Sequence, residues 1–294
     1  MFQDSTITFG QRGGYYFGCE SKRCHGSTPK KLRAVLDSND TAEVYYVTLG
    51  AASSFFVSYK TNSGSNQIQS DGLPIHLETF LSERDRYDRN ARDIRNIRVT
   101  LGPQNSSWYA TDGKSWMWQN LPRNLESALH SQKSSAGSWT SPPRIVALGA
   151  DTNFLLITES NAAFCSLSQY RTLRKMIQFS KTQVNGIAAI KDVVLHSYRY
   201  QCFVAESNNG TLISENVPPH SQRDMDTFSE ALKMAADRKL YRTPSRASPP
   251  LQATLRREWT DQARQSGDDL AREIKLKMKV NVSLSAGSIA RLFG

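Results

Sequence analysis

The sequence predicts a mainly β chain with short helices, built as an array of five copies of one unit. Three recurring features carry that prediction. Apolar tetrads return as Ile7-Thr8-Phe9-Gly10, Val47-Thr48-Leu49-Gly50, Val99-Thr100-Leu101-Gly102 and Val146-Ala147-Leu148-Gly149, and a fifth, Val193-Val194-Leu195-His196, replaces the Gly. A second β-prone run follows each tetrad, and most units then close on a Pro with two apolar residues at helical spacing. Units starting near residues 7, 47, 99, 146 and 193 are 40, 52, 47 and 47 residues apart, a period typical of repeat arrays.

Each element has a local reason. The tetrads are short and rich in β-branched and apolar residues, which fit a pleated surface. The second runs, Tyr15-Tyr16-Phe17, Phe55-Phe56-Val57, Trp108-Tyr109, Phe154-Leu155-Leu156-Ile157 and Cys202-Phe203-Val204, are aromatic and bounded by turn formers. Turns are expected at Asn62-Ser63-Gly64, Asp112-Gly113, Ser160-Asn161 and Asn208-Asn209-Gly210, because Asn, Asp and Gly tolerate positive φ. Third strands are expected at Gln67–Gln69, Ser115–Trp118, Ala163–Cys165 and Thr211–Ile213. The closing triplets are Pro29, Leu32, Leu36; Pro74, Leu77, Leu81; Pro122, Leu125, Leu129; and Tyr170, Leu173, Ile177. Pro suits a helix start, and apolar residues four apart share one face. The fifth copy reaches Pro218 and runs on into polar sequence, so its apolar pair is expected to be lost.

From about Ile7 to Pro219 this organisation resembles β-propeller repeat proteins, in architecture and not in any family-specific motif. The resemblance implies that the units stack radially, each burying an apolar face on its neighbours. An open α+β repeat array is the alternative, since a helical turn stands where a fourth strand is usual. The chain divides into a five-unit body over 1–220, a helix and Pro/Ser-rich linker over 221–250, and a charged helix with an amphipathic strand over 251–294. Polar residues 84–98 lengthen the second unit, and residues 132–143 are Ser- and Pro-rich and read as a loop. Met225 to Arg238 reads as a helix. Residues 275–285 alternate polar and apolar without a break, with Lys275, Lys277 and Lys279 on the wet face. Such a strand either docks on the protein's own sheet or adds to a partner's sheet, self-association included.

The chain has 294 residues and a formal net charge of +10, which favours acidic partners. Its basic residues are interspersed with acids, as in Arg84–Arg89, and read chiefly as solvated surface. No stretch is long and apolar enough to cross a bilayer as a helix, and the first residues lack a signal-peptide pattern; an intracellular location, cytoplasmic or nuclear, is expected. Cys19, Cys24, Cys165 and Cys202 are then expected as free thiols. Cys19, Cys24 and His25 supply three metal ligands, but a structural zinc site takes four. No phosphate loop, dinucleotide fingerprint or nucleophile elbow is present, and no cofactor or catalytic residue is assigned.

The functional expectation is a non-enzymatic protein-interaction scaffold, with carbohydrate binding and nucleic-acid binding as alternatives. Loops that recur at equivalent places gather on one rim, which makes Asn62, Asp112, Asn161 and Asn208 candidate contacts, although turn chemistry explains each. Trp116 and Trp118 share one face of a strand. On a wet face they would stack on a ligand; on a dry face they are core.

Overall fold

The computed structural model describes residues 5–242. Five antiparallel sheets of three strands follow one another: β1 (Ser5–Phe9), β2 (Tyr15–Cys19) and β3 (Lys22–Gly26); β4 (Thr41–Leu49), β5 (Phe55–Thr61) and β6 (Asn66–Asp71); β7 (Arg98–Leu101), β8 (Trp108–Thr111) and β9 (Trp116–Gln119); β10 (Pro143–Leu148), β11 (Phe154–Thr158) and β12 (Ala163–Ser166); β13 (Ile190–Leu195), β14 (Phe203–Ser207) and β15 (Leu212–Glu215). Each sheet is a plain meander in chain order. A helix follows each: α1 (Lys30–Leu36), α2 (Ile75–Ser82), α3 (Arg123–Ser131), α4 (Arg171–Thr182) and α5 (Gln222–Arg242). Among the described residues no helix is long and apolar enough to cross a membrane.

The tetrads form the first strand of every sheet, and these five strands line one central channel. The architecture is a propeller-like ring of five blades. Lateral hydrogen bonds from the tetrad threonines join neighbouring inner strands. Thr8 Oγ1 accepts from the Leu49 amide (3.1 Å), Thr48 Oγ1 donates to the Val99 carbonyl, and Thr100 Oγ1 donates to the Val146 carbonyl (2.9 Å). The tetrad Gly has a steric reason. A side chain at Gly50 would overlap Asn105 and Ser54 of the loops that cross there.

Between each pair of blades lies a separate apolar core, sealed by the helix that connects them. Leu32 and Leu36 of α1 pack with Tyr16, Val47 and Phe55, and Leu77 and Leu81 of α2 with Phe56, Val99 and Trp108. Leu125 and Leu129 of α3 pack with Tyr109, Leu148 and Leu156. Leu173 and Ile177 of α4 pack with Leu155, Val193 and Phe203. The helical turn thus covers apolar surface that a fourth strand would otherwise cover, and three strands suffice. Pro29, Pro74 and Pro122 each stand immediately before their helix. In the fourth unit, Tyr170 takes that place and ties two blades together: its hydroxyl accepts from the Ala150 amide and donates to the His196 carbonyl, both at 2.8 Å.

The fifth core closes the ring and corrects the expectation of a lost helical pair. Three and seven residues after Pro218 stand Ser221 and Met225, which are 0% and 1% exposed. Ser221 is admissible because its hydroxyl donates to the Pro218 carbonyl (2.9 Å). Met225, Phe228 and Leu232 then fill the gap between β14–β15 and β1–β2. The body therefore packs beyond residue 220, through α5. His196, which interrupts the tetrad pattern, stacks on Phe9 of the first blade (5.2 Å, 13°). These contacts between the first and last blades exclude the open-array alternative.

Two further differences concern the first unit and the insertions. β3 (Lys-Arg-Cys-His-Gly) has a single buried residue, Cys24, so its sequence gives no β signal while its pairing to β2 does. The two insertions each fold into a miniature hairpin, bridged at Arg84–Asn90 and at Lys133–Trp139.

Candidate binding surfaces

The channel is too small to be the main site. Its volume is about 110 Å³, and Ile7, Val99, Val146 and Val194 contribute to its walls; pockets for drug-sized ligands run from about 300 Å³ upward. Where the inner strands end, the Ser197 hydroxyl lies within hydrogen-bonding reach of the Leu101 carbonyl (3.0 Å) and the Leu148 carbonyl (3.1 Å), bridging three blades across the mouth. Where the inner strands begin, Arg98 and Arg144 approach Asp192. Burial lowers the pKa of both guanidinium groups and the Asp192 charge opposes that shift.

The hairpins joining second and third strands all lie on the rim where the inner strands begin. Asn62, Asp112, Asn161 and Asn208 stand there as staples. Asn62 Nδ2 donates to the Asn39 carbonyl and Asn208 Nδ2 to the Ala188 carbonyl (2.8 Å), each reaching the segment that enters an inner strand. Asp112 is 3% exposed; Oδ1 accepts from the Lys114 and Ser115 amides and Oδ2 from the Asp93 amide (3.1 Å). Asn161 has φ 65° and its Oδ1 accepts from Arg144 (3.2 Å). Gly64, Gly113 and Gly210 take the left-handed conformation in the equivalent turns, which costs glycine nothing.

Asn62 also borders a cleft of about 720 Å³ on this rim, between the first two blades and reaching the third. Arg23, Lys60, Arg95 and Arg98 line it, against Glu20 and Glu43. Arg95 lies 3.8 Å from Glu43 and over the Tyr45 ring (5.5 Å); Arg98 lies over Tyr46 (5.0 Å). The four basic residues come from three units and from unlike positions in them, so no repeat alignment reveals them. On the opposite rim, a cleft of about 640 Å³ is bordered by Gln104, Asp151, Tyr198 and Tyr200.

Trp116 and Trp118 share a face of β9, as their spacing requires. Both are half-buried against the core sealed by α3, while Met117 between them is 36% exposed on the other face. They are joined by Trp139 from the second miniature hairpin. Trp139 meets Trp116 edge-on at 5.5 Å and Trp118 at 6.3 Å, with 55° between the latter two rings. The Lys133 ammonium lies 4.7 Å from the centroids of both Trp118 and Trp139. A Trp in a Ser-rich loop was the available signal for this cluster, because a large apolar residue is unusual in such a segment.

The four cysteines are free thiols, with Cys24 and Cys202 buried; burial pushes the Cys202 thiol up to about 12. Cys24 faces the fifth core, whereas His25, its neighbour in the strand, bonds Asp37 (3.1 Å). No group of three or more metal-ligating side chains occurs among the described residues. Lys275, Lys277 and Lys279, the expected partner strand, lie outside the described residues.

No protein-family model and no curated protein matches the sequence. Among solved structures the chain is similar to the β-propeller domain of Myceliophteria thermophila Cps50 (Swd1), with 9% identity, a TM-score of 0.26, and coverage of 69% of this chain and 79% of that one. A likeness this weak carries no weight of its own. The propeller-like assignment rests on the strand order and on the contacts that join the fifth blade to the first.

Proposed function

We propose that the protein is a non-enzymatic interaction scaffold whose entry-rim cleft receives an acidic segment of a partner protein. The observation that carries this reading is the 720 Å³ cleft lined by Arg23, Lys60, Arg95 and Arg98. It is open, sits on the rim where the strand-joining hairpins gather, and draws basic side chains from three blades to one place. Clustered guanidinium groups suit carboxylate recognition because their donors form a planar fork.

The test is affinity capture from native extract with three full-length baits: the unaltered chain, Arg23→Glu/Lys60→Glu, and Lys275→Glu/Lys277→Glu/Lys279→Glu. The expected result is a protein captured by the first and third baits and lost from the second, with unchanged melting of all three. Equal capture by the first two removes the cleft from consideration. Loss confined to the third moves the function to the 275–285 strand. Capture abolished by nuclease replaces the reading with nucleic-acid binding.

A further inference from the structure

The Trp cluster on the third blade has no counterpart in the other four. Trp118 has two unlike neighbours: it stacks on buried Tyr109 (6.3 Å, 18°), and it meets the Lys133 ammonium. His130 packs edge-on against it (5.9 Å, 71°), which fixes the ring further. Trp139 closes the second wall, and Trp116 backs Trp139. The result is a two-walled aromatic notch, half-buried, in which a lysine ammonium sits at 4.7 Å from each wall. Such faces attract cations through the ring quadrupole.

We propose that Trp118 and Trp139, backed by Trp116, form a recognition site for a trimethylated lysine side chain on a partner protein, with Lys133 as its tethered resident. The seated Lys133 shows that a lysyl ammonium fits. Lys133 carries a primary ammonium, which is compact and strongly hydrated, so leaving the notch for water costs it little. A trimethylated ammonium has the same charge, weaker hydration and methyl groups that the indole faces cover. It therefore displaces Lys133, whereas an unmodified lysine gains no advantage over the tethered one. The site shares no residue with the basic cleft, so either can fail without the other.

The experiment is titration of the full-length chain, read by Trp fluorescence and by calorimetry, with Nα-acetyl-Nε-trimethyllysine amide. Three comparison probes are the unmethylated amide, a neutral isostere carrying a tert-butyl group, and choline. The trimethylated probe is expected to bind at least tenfold tighter than the unmethylated and neutral ones, and tighter than choline. Lys133→Ala, which removes the resident, is expected to tighten binding about two- to fivefold, the range for an exposed cation–π contact. Trp139→Ala is expected to abolish binding, and Trp139→Phe, a milder change, to weaken it with the melting temperature unchanged. Equal binding of the neutral isostere would overturn the proposal, since the notch would then be merely apolar. Unchanged or weaker binding by Lys133→Ala, choline preferred over trimethyllysine, or no binding by either protein at millimolar probe would also overturn it.

Discussion

Ring closure depends on a polar latch as well as on the fifth core, and the latch can be cut at one atom group. Glu206 on β14 is 1% exposed. Its Oε1 accepts from Lys191 Nζ on β13 (2.6 Å) and its Oε2 from the Ser5 hydroxyl on β1 (2.6 Å), while Lys191 also reaches Ser5 Oγ (3.1 Å). One carboxylate thus ties the first strand of the ring to the last blade. Replacing it by Ala removes the counter-charge from an ammonium whose side chain is 23% exposed, and strips Ser5 of its acceptor. Breaking a buried pair from one side costs about 3–5 kcal/mol. The partial exposure of Lys191 places Glu206→Ala near the lower end, about 3 kcal/mol, or a fall in melting temperature of about 6–12 °C for a body of this size. Lys191→Met combined with Glu206→Leu should recover much of the loss, because the uncompensated charge goes with its partner. Urea unfolding and thermal melting of the single and double variants measure both quantities. A single variant within 0.5 kcal/mol of the parent would refute the latch, as would a double variant whose loss equals the sum of the singles.

Three further outcomes follow from the same packing. His196 is 4% exposed, and burial, with Arg199 second, lowers its pKa to about 4 from an ordinary 6.5. The unfolded chain therefore binds the extra proton, and stability present above pH 6.5 is lost as the pH falls towards 4, by at most about 3 kcal/mol; His196→Phe should flatten that slope in urea titrations at pH 7 and 5. Phe228→Ala, at a site with no exposure packed 5.9 Å from Phe17, should cost about 3–5 kcal/mol, and a chain stopped at His220 should lose cooperative melting, whereas an α5 outside the ring would leave both unchanged. Gly50→Ala should cost about 1–3 kcal/mol through overpacking against Asn105 and Ser54, and Gly50→Ala/Asn105→Ala should recover part of it; an unaltered denaturation midpoint for the single variant would show that the loop yields freely.

Much of the blade is legible in the chain because its signals are local. Val47-Thr48-Leu49-Gly50 and Phe55-Phe56-Val57 encode two paired strands by composition, Asn62-Ser63-Gly64 encodes the turn by φ tolerance, and Pro74, Leu77 and Leu81 encode a helix by spacing. The fifth helix was legible from Met225 to Arg238 and forms within α5, but its place in the repeat was not. Ser221 occupies the place of a leucine in the repeat, and only the Pro218 carbonyl beside it makes a buried hydroxyl acceptable. Charged β3 was illegible for the converse reason, since an edge strand with one inward side chain has little apolar pattern to display.

The candidate sites divide in the same way. The sequence alone determined a five-unit β repeat, the place of the hairpin turns at Asn62, Asp112, Asn161 and Asn208, and the shared face of Trp116 and Trp118, because each depends on neighbours within a few residues. Tertiary structure alone decided that the array closes, since Phe9 and His196 or Ser5 and Glu206 meet only when five blade-to-blade rotations sum to a full turn. It also decided the basic cleft and the Lys133–Trp139 notch, whose members come from separate units or from opposite ends of a folded-back loop, and no periodicity records a meeting of residues that the chain does not repeat.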